Sequence, residues 1–379
     1  MTQRILAVLA GVLLTVAPAA AQQTTGTING RVLDAQGAAI PGASVTVTNP
    51  ATGFTRSAVS DGEGSYRLSA LNVGRYDLVV ELSGFTSVEQ RGVVVSVGQT
   101  LTIDVSLTVA AVSETITVTG QTPLIEATVS SVGGVVDIGR IESIPLNGRQ
   151  FANLAATLPG VGLGNHSDPT KSTQYSPQIN GGNGRNVNYQ IDGGDNNDDT
   201  VGGLLQLFPL EAIQEFNFVT SRAKAENGRS NGGVMNIVTK SGTNSYRGSF
   251  FELFRDKSMN SITTTEKNGG ADKQDYRRNQ FGGSFGGPIV KDKIHYFGAA
   301  ERTQQDTKQV VNTKGLFPSL DGTFDTPYRE TLVNVKVTAN ATPTQFLSVR
   351  YGRNQNSQPY GATSLKPVNG WGKSKNEFN

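Results

Sequence analysis

The 379-residue chain contains no cysteine and only two histidines, His166 and His295. Disulfide frameworks and thiolate metal sites are therefore excluded, and two histidines are too few for a zinc centre built on imidazole. Lysine and arginine number 33 against 31 aspartates and glutamates, a net charge of +2. No field of one sign directs the chain to nucleic acid. Beyond the N-terminal run, no stretch reaches the ~18 apolar residues that a membrane-spanning helix needs, so insertion into a bilayer would have to use strands. No nucleophile–base pair or metal-ligand cluster can be assembled, which argues against an enzyme and implies no cofactor.

What is present is glycine, 45 residues of it, together with aromatic residues that gather late in the chain. Residues 1–21 place Arg4 before the apolar run Ile5 to Val16, followed by Pro18 and the small residues Ala19, Ala20 and Ala21. A basic flank, a short apolar core and an A-x-A ending describe a secretory signal peptide, with cleavage before Gln22.

From residue 24 to residue 110, short alternating runs are separated by turn signals, the spacing of an all-β sandwich of about seven strands. Val45 and Val47 alternate with Thr46 and Thr48, and Leu101, Ile103, Val105 and Leu107 alternate with Thr102, Asp104 and Ser106. The breaks fall at Asp34-Ala-Gln-Gly37, Pro41-Gly42, Asn49-Pro50, Asp61-Gly62 and Ser83-Gly84, where glycine supplies positive φ and Asp or Asn bonds its own backbone. Asp61, Glu63 and Ser65 could surround a calcium ion, but a self-satisfied tight turn is the preferred reading.

Next comes an extended run, Glu114, Thr115, Ile116, Thr117, Val118, Thr119 and Gly120. Ile116 and Val118 fall on one side of such a strand and the threonines on the other, because side chains alternate with period 2. On spacing alone it is equally the last strand of the sandwich and a strand free to add to a partner's sheet edge.

Residues 121–242 turn polar and irregular. Phe151, Leu154, Ala155 and Leu158 recur at helical spacing, which predicts a helix from Arg149 to Leu158 ended by Pro159-Gly160. Asp192-Gly-Gly-Asp-Asn-Asn-Asp-Asp199 lacks the order of ligands in a calcium loop and reads as a solvated turn. The glycine clusters at 181–184 and 282–287 lack the lysine and the strand-to-helix context of a phosphate loop.

From residue 244 to residue 379, apolar and polar positions alternate in pieces of about ten residues, as a lipid-facing strand over a wet lumen requires. Val333, Val335 and Val337 oppose Leu332, Asn334, Lys336 and Thr338; Leu347, Val349 and Tyr351 oppose Phe346, Ser348, Arg350 and Gly352. A half-buried soluble sheet has the same periodicity. Strands are expected at about 244–255, 278–287, 293–304, 330–341 and 345–356, with a tight turn at Gly286 to Lys293 where Pro288 ends pairing. Tyr246, Phe250, Tyr296 and Tyr351 are candidates for aromatic girdles.

Several phrases carry family resemblances. Gly30-Arg-Val-Leu-Asp34, Pro41-Gly-Ala-Ser-Val-Thr-Val47, Asp61-Gly-Glu-Gly-Ser-Tyr-Arg-Leu68 and Gly74-Arg-Tyr-Asp-Leu-Val-Val80 resemble the carboxypeptidase regulatory-like domain, an accessory sandwich. Ile144-Pro-Leu-Asn-Gly-Arg149, Tyr189-Gln-Ile-Asp-Gly193, Ala225 to Gly233 and Val234 to Thr243 resemble the plug of TonB-dependent outer-membrane receptors, and Phe281 to Val290 resembles their first barrel hairpin. The resemblance implies a mainly β fold: signal peptide, immunoglobulin-like sandwich, α+β plug and the start of a transmembrane antiparallel β-barrel. It puts Glu114 to Gly120 in the place of the TonB box, the periplasmic strand gripped by an energy-coupling protein. It further implies an outer-membrane location, contact with outer-membrane lipid, an unidentified extracellular ligand and no nucleic acid. Enclosing a plug takes on the order of 22 strands, so the chain is expected to be the N-terminal part of a longer transporter. The alternative from the residues alone is a cell-surface adhesion protein whose sandwich holds a carbohydrate or matrix partner.

Overall fold

The computed structural model describes residues 24–109, 115–118, 131–165, 175–182, 184–200, 202–224, 227–230, 232–262, 264, 267, 272–311, 316, 318–320, 322–342, 345–358 and 374–378. The expected signal peptide, and Glu114, Thr119 and Gly120, lie outside the described residues.

The first unit contains β1 (Thr25–Asp34), β2 (Ser44–Thr48), β3 (Thr55–Val59), β4 (Ser65–Asn72), β5 (Gly74–Glu81), β6 (Ser87–Val95), β7 (Thr100–Thr102) and β8 (Val105–Leu107). One sheet runs β4-β1-β7 with β8 also on β1; the other runs β3-β2-β5-β6 and takes β9 (Thr115–Val118) at its edge. Alternation sends Ile28, Val32, Val45, Val47, Leu68, Leu78, Val80, Val93 and Val95 between the sheets, where all are buried. The alternating run from Leu101 to Leu107 forms two strands because the chain breaks at Ile103, whose carbonyl accepts the Tyr66 hydroxyl at 2.6 Å. Gly30 makes that approach possible: a Cβ there would lie 1.8 Å from the Ile103 oxygen. Asp61 Oδ1 accepts from the backbone N–H groups of Glu63 and Ser65, both at 2.9 Å, so this segment is a self-satisfied tight turn.

The second unit is a five-stranded sheet with irregular covering. It includes β10 (Val132–Val136), α1 (Ile138–Ser143), the hairpin β11 (Val161–Asn165) and β12 (Tyr175–Ile179), β13 (Asn188–Ile191), β14 (Gly194–Asp195), β15 (Ile213–Ser221) and β16 (Val234–Thr239). The sheet order is β10-β15-β16-β13-β14. The helix expected from Arg149 to Leu158 is two 3-10 turns instead, Asn147–Arg149 and Phe151–Thr157. Gly148 and Arg149 adopt positive φ, +82° and +55°, which interrupts helical winding at its start. The tighter winding stacks positions three apart, so Phe151 and Leu154 bury together, as do Ala152, Ala155 and Leu158. Part of the segment expected to be loop is also ordered: Asp192-Gly193, φ +46° and +82°, makes the two-residue turn of the β13–β14 hairpin.

The third unit is a wall of long antiparallel strands: β17 (Arg247–Asp256), β18 (Tyr276–Val290), β19 (Ile294–Val311), β20 (Gly322–Asp325), β21 (Tyr328–Thr342), β22 (Gln345–Gln358) and β23 (Ser374–Phe378). Its order is β17-β18-β19-β21-β22-β23, with β20 on the far end of β19. Pro288 does not end pairing. It sits opposite His295 inside the β18–β19 ladder, a register shift follows before Val290, and the turn itself is Lys291 to Lys293. The ladder tolerates a missing N–H at such an irregularity. Asn334, Lys336 and Thr338 are buried on the inner face together with Gln280, Glu301 and Glu330, whereas Phe250, Phe281, Phe285, Val335, Val337, Leu347, Val349 and Tyr351 are exposed on the outer face. Tyr246 stacks on Phe285 at 6.1 Å, and Phe285 meets Tyr296 at 6.1 Å, an aromatic cluster near the rim that carries the short turns.

Candidate functional site

Thr115–Val118 runs parallel to β6, pairing Ser87 with Thr115, Val88 with Ile116, Glu89 with Thr117 and Gln90 with Val118. Of the seven residues singled out in the sequence, these four are placed as strand. They lie at the edge of the sandwich and immediately before the plug sheet in chain order.

The sandwich meets the plug through the turn that joins β6 to β7. Val97 N–H donates to Glu215 Oε1 at 2.5 Å, and Asn217 Nδ2 donates to the Val97 carbonyl at 3.2 Å. Two alternate side chains of β15 thus take both backbone groups of one buried residue. Burial pushes the Glu215 carboxyl up to about 7 from an ordinary 4.5, with the Val97 N–H opposing the shift. The sandwich also touches the short-turn rim of the wall. Asn244 N–H donates to the Ala51 carbonyl at 2.7 Å, Asn340 Nδ2 to the Thr52 carbonyl at 3.1 Å, and Phe54 meets Phe346 edge to face at 6.4 Å.

Plug and wall are joined by buried charges. Arg149 pairs with Glu211 of the plug at 3.0 Å and Glu301 of β19 at 3.3 Å, and its guanidinium lies 3.8 Å from the centre of the Phe251 ring. Gln280 donates to the other oxygen of Glu301. Lower on the wall, Lys336 reaches Asp192 at 3.1 Å and also donates to the Thr239 carbonyl at 3.0 Å. Arg350 Nε lies 3.1 Å from Asp192 Oδ2, close enough for an ion pair but not aligned as a hydrogen bond. Asp192 accepts from Thr239 N–H and Oγ1 as well. The solvated-turn reading therefore holds for Asp195 and Asp199, which pair with Arg229 at the surface, and fails for Asp192. Sequence reasoning missed the roles of Arg149 and Asp192, although both sit in quoted phrases, because their partners Glu301 and Lys336 are 152 and 144 residues away. Among the described residues no cluster of three or more His, Asp or Glu side chains could hold a metal ion.

Comparison with known proteins adds two domain families and one long sequence relative. Residues 27–108 match the carboxypeptidase regulatory-like domain, and residues 238–326 match an outer membrane beta barrel domain. The TonB-dependent transporter Oar of Myxococcus xanthus is 31% identical over 292 residues, 73% of this chain and 27% of the relative. The chain thus spans about a quarter of the length of that relative. Among solved structures, the outer-membrane transporter YddB of Escherichia coli aligns over 62% of this chain and 35% of its own, at 19% identity and a TM-score of 0.48. The siderophore receptor PirA of Pseudomonas aeruginosa aligns over 60% of this chain and 34% of its own, at 20% identity and a TM-score of 0.40. The chain thus carries a carboxypeptidase regulatory-like domain at 27–108 and an outer-membrane beta barrel segment at 238–326, and over most of its length it is similar to a TonB-dependent transporter.

Proposed function

We propose that this chain supplies the working N-terminal parts of an outer-membrane transporter that takes up a ligand with energy delivered from the periplasm. Residues 1–21 are the export signal, 24–110 the periplasmic sandwich, 114–120 the coupling strand, 121–242 the plug, and 244–379 the first strands of the barrel. The observation that carries this reading is the plug sheet held against the inner face of an antiparallel wall by buried ion pairs, Arg149 with Glu301 and Lys336 with Asp192. Such contacts fix a plug across a lumen yet consist of a few polar links that an applied force can break.

A TonB-type partner in the periplasm grips the strand formed by Glu114, Thr115, Ile116, Thr117, Val118, Thr119 and Gly120. Strand addition suits a pulling step because backbone bonds give affinity whatever the side chains are. The exposed outer face around Phe285, Val335 and Val349 meets outer-membrane lipid. The ligand enters from the side opposite the sandwich; the protein catalyses no reaction and uses no cofactor. The test is energised uptake by the full-length receptor. Ile116→Pro or Val118→Pro removes a backbone donor from the strand and abolishes uptake while ligand binding persists, whereas Thr117→Ser is mild. Unimpaired uptake by both proline variants would move the coupling strand elsewhere.

A further inference from the structure

We propose that the edge of β6 is the resting dock of the coupling strand, and that a docked strand is uncoupled from β10, the plug strand that follows it in the chain. The proposal rests on the reading of Glu114 to Gly120 as the strand the periplasmic partner grips. It adds a competing site for that strand within the chain itself.

The dock is short and has defined ends. Ahead of it, Thr86 N–H donates to the Thr108 carbonyl at 2.8 Å and Phe85 bridges Val109, so the chain leaving β8 already lies beside the start of β6. Pairing resumes in parallel sense from Ser87 to Gln90. Beyond Gln90 the edge is spoiled. Gly92 adopts φ +75°, its N–H is taken by Asp77 Oδ1 at 3.0 Å, and the register against β5 shifts between Tyr76 and Leu78. A bulge of this kind ends straight pairing and re-aims the strand. Four residues of β6 are therefore available to β9, few enough for an incoming strand of the partner to replace.

The consequence for force follows from what the sandwich holds. A pull on docked β9 is borne by β6 and spread through the sandwich to Asn244, Asn340 and Phe346 on the rim of the wall and, through Val97, to Glu215 and Asn217 of β15. The pull runs along the chain to β10, the edge strand of the plug sheet, only after β9 has left the edge of β6. Docking thus stores the coupling strand in extended form and keeps its pull off β10 until it is exchanged onto the partner.

These 379 residues contain no cysteine, so a register-specific cross-link meets no competing thiol within them. In the full-length receptor, Val88→Cys with Ile116→Cys lies in register, and neighbouring strands about 4.8 Å apart fall within disulfide reach. Val88→Cys with Val118→Cys is displaced by two residues, to about 8 Å, which is beyond it. The in-register pair is expected to oxidise preferentially in resting membranes. The locked receptor keeps ligand binding and heat-modifiable migration, loses energised uptake, and regains it on reduction. Equal cross-linking of the two pairs, or none in register, overturns the dock; uptake by the locked receptor at the reduced rate overturns the uncoupling. If the cysteine variants fail to insert, hydrogen exchange of residues 87–90 decides, with faster exchange expected in Ile116→Pro than in the parent and equal exchange overturning the dock. Loss of uptake in the proline variant without a change in exchange leaves the coupling reading standing and removes the dock alone. Retained uptake in that variant removes the coupling reading itself.

Discussion

Replacing Asp192 by asparagine takes one negative charge from between two wall cations and leaves the local backbone almost untouched. Asp192 sits at φ +46° in the β13–β14 turn, a conformation asparagine tolerates as well as aspartate. The amide oxygen can still accept the Thr239 N–H that Asp192 holds at 3.0 Å. What changes is the ionic contact with Lys336, whose side chain is 7% exposed against 14% for Asp192. At an exposed site such a pair is worth about 0–1 kcal/mol. Here the surviving ammonium is buried with the Thr239 carbonyl as its remaining acceptor and Arg350 nearby, so removing one partner costs about 3 kcal/mol. Adding Lys336→Met should return most of that loss, because a methionine of similar volume leaves no buried ammonium in need of a counter-charge. The assay is urea-induced plug release in purified receptor, followed by labelling of a cysteine placed at the buried Ala155. A loss below about 1 kcal/mol for Asp192→Asn, or a double variant no better than the single, would refute the buried-lock argument.

Glu215 gives the sandwich–plug contact a pH dependence. Its folded carboxyl, raised to about 7 from 4.5, favours the protonated form, so the added stability is full below 4.5 and lost as pH rises through 7. The span amounts to about 3 kcal/mol, and Glu215→Gln, which keeps an acceptor for Val97 N–H, should flatten the melting temperature against pH. Parallel profiles for parent and variant would count against it. Residues 22–110, produced alone, should melt cooperatively with structured near-ultraviolet dichroism, and Gly30→Ala should cost about 3 kcal/mol by forcing β1 away from Ile103. On the outer face, Val335→Arg should lower the heat-modifiable fraction in outer membranes by an insertion cost of about 2–4 kcal/mol, with Val335→Thr close to the parent.

The features legible in the sequence were those that a residue settles with its near neighbours. Alternation along 330–341 separated Val335 and Val337 from Asn334 and Lys336 because successive strand side chains point to opposite faces whatever the strand pairs with. The Asp61 turn was legible for the same reason, its carboxylate bonding N–H groups two and four positions on. Helical spacing over Phe151 to Leu158 located the buried side chains but not the winding, which the left-handed backbone at Gly148 and Arg149 tipped into 3-10 turns. Pairing was beyond local reading. The edge that β9 occupies, the opposition of Pro288 to His295, and the grip of Glu215 on Val97 across 118 residues all depend on which distant surfaces meet. Asp192 shows the division within one residue. The sequence determined its turn through the following glycine, while only the tertiary structure, by closing the wall over the plug, decided that its charge would be buried against Lys336 and Arg350 instead of being left in water.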